Sequence, residues 1–343
     1  MMNDKIKFAV IGCGHIGKRH AEMITRNPNT ALVAMCDILP REKLGIENYA
    51  VPFYSSADEL LKSENDLDIV SVCTPNGLHA VLAIKVLEAK KHVVCEKPMA
   101  LTKSDCEDIL HKALQMHRQV FCVMQNRYSP PAEWLKGVID SKILGDVYMV
   151  QLNCYWNRDD RYYKPGTWKG TKDMDGGVLF TQFSHFIDMM YWLFGDINNV
   201  KANFKNFTHR KNTEFDVDSG FVSFDFIKQG SGCINFSTSV WDTNFESSMT
   251  IIAQNGTIKV GGQYMDKVEY CHIKNYTMPR LAPTGPANDY GSYKGSASNH
   301  HFIIENVVKT LKENSSVTTN ALEGMKVVEI IERIYQAKKI RND

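Results

Sequence analysis

The sequence predicts an α/β chain of two domains: a doubly wound parallel sheet, then an α+β domain on a large, mostly antiparallel open sheet. Three observations predict it. Residues 1–125 alternate short β-branched apolar runs with helical patterns, the order of strand–helix–strand units with right-handed crossovers. Those runs are apolar throughout, as strands are when helices cover both faces of their sheet. Beyond residue 126 all five tryptophans appear and strand-like runs recur at hairpin spacing. A chain of 343 residues, at about 150 per domain, also makes two domains the default. The division is 1–125 and 126–343, with the last helix able to pack back on the first domain.

Taken in order, residues 5–11 read as a strand, 15–26 as a helix and 31–36 as a second strand. After a polar stretch come a strand at 69–73, a helix at 78–89 and a strand at 92–95. Ser104 and Glu107 form a capping box for the next helix, and 119–124 is strand-like. Ser129-Pro130-Pro131 offers a cap and first-turn prolines for another helix. Residues 146–156 read as a strand and 178–194 as one apolar helix. Residues 221–227 and 233–240 flank a turn at Ser231-Gly232, and 249–253 and 257–260 flank Asn255-Gly256, a type I′ turn signal. The Gly- and Pro-rich stretch 279–295 reads as a surface loop or lid, and helices at 299–313 and 319–339 close the chain.

Composition narrows the function classes. Hydrophobic residues make up 43% and charged residues 23%, close to the globular averages of about 45–50% and 25%. Forty Lys and Arg against 39 Asp and Glu leave +1, with no basic excess to drive nucleic-acid binding. The longest clear apolar stretch, 189–194, falls far short of the roughly 20 residues of a membrane span. No signal-peptide pattern precedes the first strand, so a soluble cytoplasmic protein is expected. Nine scattered cysteines without a CxxC pair argue for reduced thiols and against a zinc finger or disulfide framework.

The strongest motif is Gly12-Cys13-Gly14-His15-Ile16-Gly17, placed directly after a strand and opening a helix. Gly12 permits the tight turn, Gly14 lets backbone approach a pyrophosphate, and Gly17 allows close helix–strand packing. The helix N-terminus beyond offers free N–H groups to phosphates. Asp37 ends the second strand 20 residues after Gly17, where a carboxylate accepts ribose hydroxyls and repels a 2′-phosphate. NAD is therefore favoured over NADP, with Arg41 nearby as a slight counterweight. The competing reading is a glycine turn that serves packing alone.

Thr74 and Asn76 lie at the C-terminal end of another strand, where ligands of such sheets bind; an ordinary Pro–Asn turn reads equally well. Lys97 ends yet another strand beside Pro98. In a cleft next to a cationic nicotinamide it would lose its proton readily and serve as a general base, against the bland reading of a surface lysine. Thr181, His185 and Asp188 recur at i, i+4 and i+7, one face of the predicted helix. His185 could act as acid–base and Asp188 could orient it, or the histidine could be a satisfied core residue. His300-His301 makes a poor metal pair, because adjacent helical residues point about 100° apart, and no metal is expected.

In order, the glycine motif, Thr74-Pro75-Asn76 with His79, Glu96-Lys97-Pro98, Gly176-Gly177 leading to His185 and Asp188, and Trp192-Leu193 resemble the Gfo/Idh/MocA family of NAD(P)-dependent sugar oxidoreductases. The resemblance covers essentially the whole chain. It implies a Rossmann domain whose NAD contacts come from Gly12, Gly14, His15, Ile16, Gly17, Asp37, Thr74, Asn76, His79, Glu96 and Lys97. It makes Lys97 the acid/base or the group that positions the reacting hydroxyl, Pro98 a candidate cis-proline, and His185 its catalytic companion. Inositol-type members carry aspartate where this chain has Thr181. Asn126-Arg127-Tyr128, Trp168-Lys169, Thr181-Gln182 and Ser298-Asn299-His300 instead resemble the branch that oxidises C3 of UDP-N-acetylglucosaminuronate. That branch implies substrate contacts at Lys97, Asn126, Arg127, Tyr163, Trp168, Lys169, Gln182, His185, Asn299 and His300. Lys169 stands where most members have arginine, so its anion contact would be monodentate. Rival readings are a dehydrogenase of free sugars or polyols, an NAD-dependent glycosidase, and a non-catalytic NAD sensor. Relatives pair through the second sheet, which implies a homodimer or homotetramer.

Overall fold

In the computed structural model, which describes residues 5–291 and 293–337, the first sheet is parallel throughout. Its strands are β1 (Ile6–Ile11), β2 (Thr30–Cys36), β3 (Phe53–Tyr54), β4 (Ile69–Val72), β5 (His92–Cys95) and β6 (Val120–Cys122), with spatial order β3-β2-β1-β4-β5-β6. Helices α1 (His15–Arg26), α2 (Ala57–Ser63), α3 (His79–Glu88) and α4 (Lys103–Met116) connect them. Every residue of β4 is buried, and so are Phe8, Ala9 and Val10 in β1, as two covered faces require. The strand order reverses between β1 and β4, the switch point at which such sheets bind ligands beyond their strand ends.

Local chemistry set two helix starts differently from the reading above. Helix α4 is capped not by Ser104 but by Thr102, whose hydroxyl accepts the Asp105 N–H at 3.0 Å. Ser56 caps α2 in the same way, inside the stretch read only as polar.

This unit is not one continuous segment. It comprises the chain up to Met124 together with His300–Val328. Helix α8 (His300–Glu313) packs on α1, and the Cys122 N–H donates to the Thr319 carbonyl at 2.9 Å beside β6. The chain therefore returns at α8 and at the first half of the last helix, α9 (Ala321–Gln336), not at the last helix alone. The end of that helix, read to residue 339, lies outside the described residues.

The second unit, Gln125–Asn299 with the chain from Glu329, holds a seven-stranded sheet ordered β13-β12-β11-β7-β10-β9-β8. These strands are β7 (Val147–Tyr155), β8 (Ile197–Lys205), β9 (Ser219–Phe226), β10 (Ser231–Ser237), β11 (Glu246–Ala253), β12 (Gly256–Gly261) and β13 (Lys267–Ile273). All pairs are antiparallel except β10 with β7. One face carries Leu152, Phe224, Ile234, Phe236 and Ile251 into the core, where Trp156 meets Phe183 and Phe186 edge-on at 5.5 and 5.6 Å.

Helix α5 (Pro130–Asp140) starts at the two prolines, and a small hairpin, β14 (Ala287–Asp289) and β15 (Lys294–Ala297), lies inside the stretch read as loop. The apolar run 178–194 forms two helices, α6 (Val178–Thr181) and α7 (Ser184–Phe194), not one. The β9–β10 turn falls at Ile227-Lys228-Gln229-Gly230, where Gly230 takes φ +89° and any side chain would collide with the Val147 carbonyl; Ser231 and Gly232 are strand. Between β11 and β12 the loop is Gln254-Asn255. Neither residue takes the positive φ of a type I′ turn.

Candidate active site

In the first unit the three glycines of the loop after β1 do three different jobs. A side chain on Gly12, at φ +90°, would meet the Cys73 carbonyl group at 2.7 Å, and one on Gly17 would fall 1.8 Å from the Gly12 carbonyl oxygen. One on Gly14 would meet nothing within 4 Å, so there the missing side chain leaves room in front of the α1 N-terminus. His15 and Ile16 open that helix, His15 exposed and Ile16 half-buried. Asp37 follows β2, its carboxylate accepting the Cys13 N–H at 2.6 Å and the Leu39 N–H at 2.9 Å. Arg41 spends its guanidinium on the carbonyls of Tyr49 and Val51, which removes the counterweight to NAD. At the end of β4, the Thr74 hydroxyl is buried with no partner, and Asn76 is buried in the next turn.

Lys97 sits at the end of β5, half-buried, and the Lys97–Pro98 bond is cis. Both flanks of this turn are tied down. His79 places Nδ1 2.7 Å from the Pro98 carbonyl and Nε2 2.9 Å from that of Thr74. Burial lowers the affinity of His79 for a second proton, so the neutral ring donates to one of these carbonyls at a time. On the other flank the buried Glu96 carboxylate faces His20 and His300. His300 thus engages Glu96 inside the first unit, whereas the sequence reading counted it among substrate contacts. Ligand atoms of His20, Glu96 and His300 lie within 4.8 Å of one another, near enough for a metal. Metal-bound histidines tie their second nitrogen to a partner, however, and Nδ1 of both His20 and His300 has none. Hydrogen-bonded acid and donors is the arrangement these atoms make.

In the second unit His185 and Asp188 sit buried on α7. Asp188, expected to orient His185, faces Arg127. Its carboxylate takes a two-pronged contact from Arg127, with Nε at 2.9 Å and Nη2 at 2.5 Å, and both residues are buried, at 0% and 2% exposure. Arg127 is thereby committed, stacked 5.3 Å from Trp192, and is a structural group rather than the expected substrate contact. Thr181, at the inositol-type aspartate position, donates its hydroxyl to the Asp175 carboxylate at 2.6 Å. Asn299 is taken up by Gln125, through Gln125 Oε1 at 2.8 Å and its carbonyl at 3.3 Å. By contrast Asn126 and Gln182 are buried with both amide atoms lacking any partner, and the Tyr163 hydroxyl lacks one too. Leaving a buried amide unsatisfied costs about 1–3 kcal/mol. Trp168 is half-buried next to Lys169.

A basic cluster that the sequence reading missed surrounds Lys169. Arg158 is 3% exposed, with its Cζ 4.8, 5.0 and 5.2 Å from the rings of Trp156, Tyr162 and Tyr293. The Lys169 ammonium lies 4.0 and 4.3 Å over Tyr162 and Tyr293, and 3.2 Å from the Tyr293 hydroxyl. Arg158 donates to the carbonyls of Asn157 and Lys294 and to the Asn244 side chain, and its Nε has no partner. Burial, then Arg158, pushes the Lys169 pKa down to about 8. Among the described residues the two cations have no carboxylate within ion-pair distance. The cluster combines a loop arginine, a loop lysine and a tyrosine 124 residues further on, so no local pattern announces it.

Residues 6–124 match the oxidoreductase family described as an NAD-binding Rossmann fold, and 133–259 match the GFO/IDH/MocA C-terminal domain. The chain belongs to the Gfo/Idh/MocA oxidoreductase family. The NAD-binding assignment of this family fits the first unit, with the room at Gly14, the carboxylate of Asp37 and the unpartnered Thr74 hydroxyl. Among Gfo/Idh/MocA-like solved structures, the WlbA dehydrogenase of Bordetella pertussis, in complex with NADH and UDP-GlcNAcA, is 29% identical with a TM-score of 0.85, covering 97% of this chain and 96% of that one. The WlbA enzyme of Chromobacterium violaceum, in the same kind of complex, is 28% identical with a TM-score of 0.86 over 98% and 94%. The inositol 2-dehydrogenase of Salmonella typhimurium is 28% identical over 205 residues, so the match spans 58% of either protein. No helix among the described residues is long and apolar enough to cross a membrane.

Proposed function

We propose that this chain is an NAD-dependent dehydrogenase that oxidises the C3 hydroxyl of a UDP-linked N-acetyl hexuronic acid. The observation that carries the reading is the pair of buried Arg158 and half-buried Lys169 without a carboxylate in ion-pair contact, a site suited to an anion in the unit that also holds the unpartnered Asn126 and Gln182. Two desolvated cations side by side are costly unless an anionic ligand joins them, and a uronate carboxylate or a diphosphate supplies one where inositol or a neutral hexose does not. The likeness to two WlbA dehydrogenases supports the same substrate class.

NAD, when bound at the glycine loop, supplies the hydride acceptor. Lys97 takes the hydroxyl proton onto Nζ as the carbon–oxygen double bond forms, and its turn is held so that the amine stays in place. His185 donates a hydrogen bond to the sugar hydroxyl region, and Asn126, Gln182 and Lys169 hold the substrate. The test is to incubate purified protein with NAD and, separately, UDP-GlcNAcA, UDP-GlcNAc, glucose and myo-inositol, following absorbance of the reduced cofactor. Turnover confined to the uronic acid is expected. Equal turnover of myo-inositol would transfer the assignment to the polyol branch, and cofactor binding without turnover on any sugar would favour a sensor. Lys97→Ala should lose about 10²–10⁴-fold in kcat while still binding NAD.

The second sheet also presents a surface for a second copy of the chain. Strand register places Met149, Phe221, Ile252 and Tyr270 on the face opposite the core, all exposed. Sedimentation should show a dimer or tetramer that Phe221→Arg weakens; a wild-type monomer at micromolar concentration would contradict it.

A further inference from the structure

Three elements converge on the residue before Lys97. Oε1 of Glu96 lies 2.9 Å from Nε2 of His20 on α1 and 3.5 Å from Nε2 of His300 at the start of α8, and the two rings meet edge-on at 5.5 Å. Oε2 of Glu96 accepts the backbone N–H of Lys97 at 3.1 Å. Nδ1 of both histidines is buried and has no partner. A buried N–H would be costly there, so each ring keeps its hydrogen on Nε2 and donates it to the carboxylate. The partners of the Glu96 carboxylate seen here, His20, His300 and the Lys97 N–H, are then all donors, which suits a carboxylate better than a carboxylic acid.

We propose that His20 and His300 are positioning residues for the reaction, holding Glu96 as a buried anion that orients Lys97 and raises its affinity for a proton. The inference rests on Lys97 being the acid/base. It goes beyond that reading by assigning work to two histidines through the Glu96 carboxylate that both face. Burial pushes the Glu96 carboxyl toward its acid form, but the hydrogen bonds from His20 and His300 outweigh it and hold Glu96 well below the usual carboxylate range. The other titratable groups around the carboxylate are Cys73, Cys95, His79 and Lys97, with Arg19 facing His300. Burial raises both thiols, so they stay uncharged, and the contact of the Glu96 carboxylate with Lys97 runs through the Lys97 backbone N–H.

The experiment measures the protonation midpoint of Lys97 directly, by competitive acetylation of the full chain across pH with and without NAD, read by peptide mass spectrometry. The pH profile of kcat/KM is recorded in parallel. The variants are His20→Phe, His300→Phe, His20→Gln, His300→Gln and Glu96→Gln. Phenylalanine keeps the ring and removes the donor; glutamine returns an N–H at the place of Nε2. Losing the anion should lower the midpoint by about one unit in both Phe variants and in Glu96→Gln, and the Gln variants of the histidines should restore it. The acid limb of kcat/KM should move down by the same amount. A Glu96→Gln midpoint equal to wild type overturns the proposal, and that near-isosteric variant decides the matter alone if the Phe variants do not fold. A midpoint that falls while the kcat/KM limb stays put leaves the effect of the Glu96 anion on Lys97 standing and removes Lys97 as the base.

Discussion

Gly14 and Gly17 differ in what a side chain would meet, and that difference separates binding from stability. A methyl on Gly17 meets a carbonyl oxygen at 1.8 Å, so Gly17→Ala should cost about 1–3 kcal/mol or more in urea unfolding, as overpacked sites do. Gly14 has nothing near it, so Gly14→Val should leave the unfolding midpoint unchanged. It should also weaken NAD binding tenfold or more, about 1.4 kcal/mol, by calorimetry. Equal loss of both properties in both variants would contradict this division. Lys169 carries a second residue-scale prediction. Its pKa of about 8 lies below the free value of 10.5, so burying the ammonium costs stability below pH 8, and that cost fades as pH rises through this window. Anion binding has the opposite sign, strongest below pH 8 and lost above it as the ammonium deprotonates. KM for the anionic substrate should therefore rise above pH 8 in the wild type and stay flat in Lys169→Arg, whose guanidinium keeps its proton. The glycine roles were legible because each depends on its neighbours in sequence. Arg158 and His20 were not, because what defines them is a tyrosine or a glutamate brought near by folding.

At the scale of elements, the buried Arg127–Asp188 pair ties the short turn Gln125–Tyr128 to α7. Asp188→Ala leaves a buried guanidinium uncompensated and should cost about 3–5 kcal/mol in urea unfolding, whereas the double change to Arg127→Met and Asp188→Leu should cost less. If the double variant is the less stable, the pair does more than neutralise itself. Sequence periodicity suggested that Asp188 serves His185, since both fall on one helical face, but it could not see an arginine 61 residues away. The same blindness explains the split between α6 and α7. The run 178–194 holds neither Gly nor Pro at the break, and what holds the preceding turn is Thr181 bonding Asp175. Strand β3 has two residues and α2 seven, too few for a period to show. The parallel strands β1, β4 and β5 were legible because a strand buried on both faces is apolar at nearly every position, with only Lys7, Ser71 and His92 interrupting the three runs.

For the whole molecule, the return of the chain into its first unit has a consequence for folding. Residues up to 124 contain the complete six-stranded sheet and the glycine loop, yet α8 and the segment at Thr319 belong to the same unit. Removing them strips β6 of its partner at Cys122 and exposes the face of α1 that α8 covers. Ile303, Ile304 and Val307 of α8 are buried, and at about 1.5–3 kcal/mol each they contribute roughly 4.5–9 kcal/mol against a typical total near 5–15. A fragment of residues 1–124 should therefore show no cooperative thermal transition and no NAD binding. The same fragment joined through a Gly/Ser linker to 300–328 should recover both, because the linker adds only a closure cost that grows slowly with its length. His300 is part of what the second segment restores, so even a folded 1–124 fragment would leave Glu96 with one histidine donor instead of two. A cooperative, NAD-binding 1–124 fragment would mean that the sheet and its own four helices suffice, and that α8 is held for the Lys97 turn rather than for the fold.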